Sequence, residues 1–234
     1  MKNGSSKKPL APAHLRFAVI AVDATLFTVH KGTLMVRLIR VNHPPLFVHT
    51  PGLPGGLITP EETAEQAAQR MIKAKAKISI NSIYIEQLYT FSSVERDPRG
   101  RVVAVAYIGL VPWDALRNEE QLDTPEAFWS PVTTKEKLAY DHTEMLKVAL
   151  TRLRSRITYT TLIQKLLPKE FTLTELEDMY KTILGTHLDK RNFRKKILKL
   201  KVLTPLSRTR SGGKFRPAQL YAFSSTAVKE IEIL

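Results

Sequence analysis

The apolar pattern of this chain changes period partway along, and that change limits it to a sheet-forming first part and a helix-forming second part. From Phe17 to Val29 the order Phe-Ala-Val-Ile-Ala-Val-Asp-Ala-Thr-Leu-Phe-Thr-Val favours a strand. Thr33 to Arg40 alternates again, and His30-Lys31-Gly32 between them supplies a hairpin turn. A Pro/Gly-rich stretch, Pro44 to Gly56, reads as a loop. Pro60-Glu61-Glu62-Thr63 then starts a helix that good helix formers carry to about Lys77. Ile83 to Phe91 and Arg101 to Pro112 read as strands joined by the charged turn Glu95-Arg96-Asp97-Pro98-Arg99-Gly100. From Thr143 to Ser155 the period is helical, with Met145, Leu146, Ala149, Leu150 and Leu153 on one face.

Three further helices follow: Thr160 to Leu167, ended by Pro168; Leu173 to Leu184, ended by Gly185; and Lys190 to Lys201. Thr172-Leu173-Thr174-Glu175 is a capping-box signature, and Asp189 is placed to cap the last helix. Val202 to Leu206 and Leu220 to Phe223 read as short strands around the basic loop Ser207 to Pro217. This order predicts a helix-turn-helix with a wing. The expected boundaries are an N-terminal arm over residues 1–12, a mixed α and β domain over 13–142, a connecting helix over 143–156 and a winged-helix domain over 157–234.

The net charge of +14 is unevenly spread. Residues 1–150 hold 18 Lys+Arg against 15 Asp+Glu, whereas residues 151–234 hold 18 against 7. A basic block confined to one domain is the footprint of phosphate-backbone binding. On the last helix Phe193, Ile197 and Leu200 form the stripe that must pack inward, so Lys190, Arg191, Asn192, Arg194, Lys195 and Lys199 are the candidate DNA contacts. Arg208, Arg210, Lys214 and Arg216 arm the wing, where Gly212 and Gly213 allow a tight tip. A basic face standing alone is usually only solvated; capped helices, an apolar stripe and a basic wing in register favour double-stranded DNA as partner.

There is no cysteine, which excludes disulfides, thiolate metal sites and thiol nucleophiles and suits a reducing, cytoplasmic setting. The basic, polar start, Met1 to Leu10, is followed by no long apolar segment, so neither a signal peptide nor a membrane partner is expected.

The stretch from Gly56 to Ile78 resembles the Nudix box: Gly56, Glu62, Arg70, Ile72 and Ile78 fall on its first Gly, first Glu, Arg and two apolar positions, behind the lead-in Leu53-Pro54-Gly55-Gly56. The box's second, third and fourth Glu positions hold Met71, Ala74 and Lys75, and its closing Gly position holds Lys77. Positions 71, 74 and 75 share one helix face, where clustered carboxylates would hold hard divalent cations. Met and Ala cannot, and a Lys ammonium repels a cation while favouring a diphosphate. Binding without turnover is the expectation: no catalytic residue, no metal and no cofactor. For Met71 and Ala74 packing against the sheet is the preferred reading, and Lys75 and Lys77 are equally readable as a solvated face.

Longer strings extend the likeness. Ala21-Val22-Asp23, Gln87-Leu88-Tyr89-Thr90-Phe91, Arg96-Asp97-Pro98-Arg99-Gly100-Arg101, Tyr140-Asp141-His142, Leu188-Asp189-Lys190-Arg191-Asn192-Phe193-Arg194 and Arg216-Pro217-Ala218-Gln219-Leu220-Tyr221 resemble the Nudix-related transcriptional regulators of NAD metabolism, the NrtR family. The resemblance implies an α+β fold, an α/β/α Nudix sandwich followed by a winged helix-turn-helix. It also implies a homodimeric repressor of NAD biosynthesis or salvage genes, released from operator DNA when ADP-ribose or a related nucleotide sugar occupies the Nudix domain. ADP-ribose would need guanidinium forks, an aromatic face and polar groups, for which Arg37, Arg40, Phe47, Arg70, Lys75 and Tyr107 are candidates. A surface ion pair or a core aromatic accounts for most of these as well as ligand contact does. The rival reading is an active hydrolase of ADP-ribose or a related nucleoside diphosphate derivative, with Glu61, Glu62 and Glu65 around a displaced metal.

Overall fold

A computed structural model describes residues 17–211 and 217–234. The arm expected over 1–12, the wing tip Gly212-Gly213, and the candidates Lys214 and Arg216 lie outside the described residues.

The expected hairpin forms from β1 (Val19–His30) and β2 (Thr33–His43), paired from Phe27↔Val36 to His30↔Thr33. The stretch read as a loop contains two strands, β3 (Phe47–Gly52) and β4 (Gly55–Leu57). Its Pro and Gly residues hide them, since β3 is a sheet edge and β4 is only three residues long. β5 (Tyr84–Phe91) and β6 (Val102–Leu110) match the two expected strands. After the single-turn α2 (Asn118–Gln121) comes an unforeseen β7 (Ala127–Pro131). Among the described residues these seven strands make one sheet of order β3-β2-β1-β6-β5, with β4 on β1 and β7 on β2. β1 and β6 run parallel at its centre, from Val19↔Val102 to Phe27↔Leu110.

The Nudix-box helix is shorter than its composition suggests. α1 (Ala64–Met71) opens on a Thr63–Gln66 capping box, then widens into a π-turn over Ile72–Ala76 that stops at Lys77, whose φ is +58°. The box's closing Gly position is therefore left-handed, and here a lysine occupies it. α1 packs Ala67, Ala68 and Met71 against Val22, Ala24 and Leu26 on one face of the sheet. The other face carries Ala21 and Phe27 and is covered by α3 (His142–Tyr159) through Met145, Ala149 and Leu153. The alternation of β1 alone thus dictates a helix, sheet, helix sandwich.

That second core runs unbroken into the C-terminal part, where it includes Leu162, Leu176, Tyr180, Phe193 and Ile197. The first helix expected there is only a 3-10 turn, Thr161–Lys165, cut short before Pro168. β8 (Phe171–Thr172), not foreseen, leads into α4 (Leu173–Leu184) and α5 (Lys190–Lys199). The caps stand where the sequence placed them. Thr172 and Glu175 close a capping box, Gly185 ends α4 at φ +68°, and Asp189 accepts the Asn192 N–H at 2.7 Å. Each of the two N-caps, Thr172 and Asp189, contributes about 1 kcal/mol. β9 (Leu203–Arg210) and β10 (Ala218–Phe223) form the wing and pair in a sheet of order β8-β10-β9. The wing strands are longer than expected, so Arg208 and Arg210 stand on a strand.

Candidate functional site

A cavity of about 490 Å³ opens on the α3 side of the sheet, between the end of the π-turn and the β2–β3 edge. β1 contributes Asp23, β2 contributes Arg40 and His43, and the π-turn contributes Ala74, Lys75 and Lys77. The β5–β6 turn adds Arg96, Asp97 and Arg99, and the lead-in to α3 adds Tyr140 and His142. Five cationic side chains against three carboxylates (Asp23, Asp97, Glu126) make this lining electropositive.

The floor is rigidly wired. Arg96, buried, grips Asp141 with Nε at 2.9 Å and Nη2 at 2.7 Å, and its Nη2 also lies 3.5 Å from Asp23. His142 is buried, and its Nδ1 accepts the Leu53 N–H at 2.9 Å. That contact leaves the ring proton on Nε2, which faces Asp23 Oδ1 at 3.4 Å. Gly55 is obligatory, because a Cβ there would collide with the Asp23 carboxylate. Arg99 holds Asp97 bidentately at 3.0 and 2.8 Å and lies 5.0 Å over the Tyr140 ring. Asp97 is itself buried, a cost that alone would raise its pKa, yet bonds from the Arg99 side chain and backbone hold it below the usual carboxylate range. Tyr140 sits at φ +53°, a strained conformation for a bulky residue. Lys75 donates to the Gly55 carbonyl at 2.6 Å, and burial lowers its pKa while Asp23 opposes the shift.

The donor set does not fit a divalent ion. Met71 is buried beneath Gly56, a Cβ on which would meet its sulfur at 2.7 Å, and Ala74 offers no oxygen side chain. Lys75 places an ammonium on the carbonyl at the cavity rim. Glu62 is held by Arg70 and by the Thr59 N–H at 2.9 Å. Among the described residues no group of three His, Cys, Asp or Glu side chains is arranged to hold a metal. The chemistry this arrangement supports is anion capture.

Of the six ligand candidates, Arg40 and Lys75 line the cavity and four do not. Arg37 is fully buried, its Nε bonded to the Ala76 carbonyl at 3.0 Å and its Nη1 to that of Leu122 at 3.1 Å, so it ties β2 to the end of the π-turn. Tyr107 points to the α1 side, one residue out of phase with the cavity face. Arg70 is exposed and engaged by Glu62 and by the Leu57 carbonyl at 3.0 Å. Phe47 stands behind the lining, its ring 4.4 Å from that of Tyr140. Asp23, His43, Arg96, Arg99, Tyr140 and His142 were not among the candidates. All but His43 lie in the strings that carried the family resemblance, which was the signal available.

On α5, Lys190, Arg191, Asn192, Lys195 and Lys199 are exposed, while Phe193 and Ile197 are buried as expected. Arg194 is half-buried, donating to Thr174 Oγ1 at 2.8 Å and lying 3.5 Å from the buried Glu177 carboxylate. The wing arginines are also engaged: Arg208 with Glu170, and Arg210 with Glu175 and the Glu170 carbonyl at 3.2 Å.

Sheet, cavity and basic helix together define a NUDIX domain joined to a winged helix. The model of the NUDIX domain matches residues 18–148, and that of the NrtR DNA-binding winged helix domain matches residues 163–223. The chain belongs to the NrtR family. It is 35% identical over 209 residues to the ADPR responsive transcriptional repressor NtrR of Acinetobacter baylyi, covering 88% of this chain and 82% of that one. It also resembles the crystal structure of Shewanella oneidensis NrtR complexed with a 27mer DNA, with TM-score 0.77, 32% identity, and 88% and 93% of the two chains covered. The NUDIX domain of Shewanella oneidensis NrtR, solved in complex with ADP ribose, is similar at TM-score 0.51 and 33% identity, over 62% of this chain and 94% of that one. Among the described residues no helix is long and apolar enough to cross a membrane.

Proposed function

We propose that this chain is a cytoplasmic, homodimeric transcriptional repressor of NAD biosynthesis or salvage genes that leaves its operator when ADP-ribose fills the Nudix cavity, without hydrolysing it. The observation that carries this reading is the electropositive cavity. Ala74 and Lys75 line it where the Nudix box has metal-binding carboxylates, in a chain whose other end presents a basic, capped α5. Lys75, Lys77 and Arg40 supply the charge that a bridging metal would otherwise bring to a diphosphate. Arg191, Asn192, Lys195 and Lys199 on α5 read base edges and phosphates, with Lys190, Arg194 and the wing's Arg208, Arg210, Lys214 and Arg216 in support. A dimer sets two such helices at half-sites, and ligand acts by favouring an arrangement that no longer matches their spacing.

The test is a titration of ADP-ribose into a complex between the full chain and a duplex selected by the chain from a random library. Release of the duplex with ADP-ribose recovered intact is expected. Turnover of ADP-ribose with magnesium at the rate of ordinary Nudix hydrolases, abolished by Glu62→Gln, would establish the hydrolase reading instead.

A further inference from the structure

His43 ends β2 at the rim of the cavity, outside the Nudix box and outside every string that carries the family likeness. Its Nδ1 lies 2.6 Å from the Tyr140 hydroxyl and 3.5 Å from Arg99 Nη1. Two donors converge on that nitrogen, so Nδ1 accepts and the ring proton sits on Nε2. The Tyr140 hydroxyl proton is spent on the imidazole. Tyr140 keeps that proton, because burial raises its pKa above the ordinary phenol value.

The groups facing His43 come from three elements. Tyr140 belongs to the lead-in to α3, Arg99 and Asp97 to the β5–β6 turn, and Lys75 to the π-turn. Phe47, its register partner on β3, adds no charge. Without ligand this surrounding disfavours the imidazolium: burial is the largest cause, Arg99 and Lys75 add to it, and Asp97 alone opposes them. An anion entering between Arg99, Lys75 and His43 reverses the sign of that field.

The geometry points to His43 and Tyr140 as a proton-linked clasp for the anionic group of the ligand. His43 takes a proton from solvent onto Nδ1 as the diphosphate enters, and the Tyr140 hydroxyl, now accepting from Nδ1–H, turns its own proton toward the ligand. One proton taken up thus creates one new charge and one new donor at the rim. A diphosphate diester titrates far below neutrality, so the ligand does not supply this proton. The inference rests on ADP-ribose being the ligand. It adds that capture strengthens as pH falls through the histidine range, by at most about tenfold per pH unit for a single proton.

Calorimetric titration of ADP-ribose into the full chain at pH 7, in two buffers of different ionisation enthalpy, reads the proton directly. Expected are heats that differ between buffers by a substantial fraction of one proton, an affinity that declines from pH 6 to pH 8, and loss of both in His43→Gln. The nitrogen shifts of the imidazole in the unmutated chain, with and without ADP-ribose, give the same answer should the variant misfold. Equal heats in both buffers overturn the clasp while leaving the ligand reading intact. The same uptake in a folded His43→Gln also overturns it and places the proton on another group. No binding of ADP-ribose in any buffer removes the ligand reading and the clasp together.

Discussion

Arg156 on α3 brings its Nη1 to 2.6 and 2.7 Å from the two carboxylate oxygens of Glu86 on β5, so the helix that leads into the winged helix is pinned to the edge of the Nudix sheet. Tyr84 completes the cluster by donating to Glu86 at 2.6 Å. Its pKa is pushed up to about 12, first by burial and then by that carboxylate. Arg156→Ala leaves Glu86 without its cation in a half-buried setting, at a cost of about 1.5–3 kcal/mol by chemical denaturation. The more telling readout is coupling. The variant should still bind duplex and ADP-ribose separately, with each affecting the other less than in the unmutated chain. Unaltered coupling would show that α3 transmits nothing through this pair.

The wing arginines Arg208 and Arg210 are already paired with carboxylates in the free chain. In Glu170→Gln, Arg208 arrives as an uncompensated cation and Arg210 keeps Glu175. Affinity for a mixed-sequence duplex should rise severalfold, and the slope of log affinity against log salt should steepen by about 1. Anisotropy titrations across a salt series measure both. A slope equal to that of the unmutated chain would place Arg208 away from the phosphates.

Arg191 is exposed near the start of α5, where a recognition helix meets base edges. Arg191→Ala is expected to cost about 1–3 kcal/mol at one base position of the selected duplex and to relax preference there. Competition with single-base variants of that duplex checks it, and unchanged discrimination removes Arg191 from direct readout.

Lys77 couples stability to binding with opposite signs. It holds a left-handed φ of +58° and also lines the cavity. Lys77→Gly should stabilise the fold by about 1 kcal/mol, read as a higher urea midpoint at constant m-value, because glycine carries no Cβ penalty there. The same change should weaken ADP-ribose binding by removing a cation from the lining.

Glu62 should titrate unlike a free carboxylate. Hydrogen bonds from the Arg70 side chain and the Thr59 backbone hold its pKa at about 2. A depressed folded-state pKa means that the contribution is complete above the ordinary carboxylate range and is lost as pH falls through about 2. Carboxyl chemical shifts of Glu62 check this, and Arg70→Ala should move the titration up toward the ordinary range, with the Thr59 N–H still holding it somewhat below.

How much of this was legible beforehand varies by element. Boundaries of α4 and α5 were readable because capping is local: Thr172, Glu175, Gly185 and Asp189 act on backbone groups within a few residues. β3, β4 and β7 were not, since short strands among Pro, Gly and polar residues exist only because β1 and β2 offer them unpaired edges. Tyr107 and Arg37 carried suitable chemistry on the correct strands, but exposure to the cavity depends on strand phase and on what the π-turn covers. The pairing of Arg208 and Arg210 with Glu170 and Glu175 spans 35 or more residues and leaves no mark in local spacing.

By itself the sequence determined that a sheet-forming half precedes a basic helical half, that Met71, Ala74 and Lys75 rather than carboxylates follow Arg70, and that the last helix turns Phe193 inward. Those are matters of period, residue type and short-range bonding. Only the tertiary structure decided which polar side chains converge on the cavity, because Asp23, His43, Arg99, Tyr140 and Lys75 come from five segments. Their meeting point is set by register across the sheet and by the packing of α1 and α3 on its two faces.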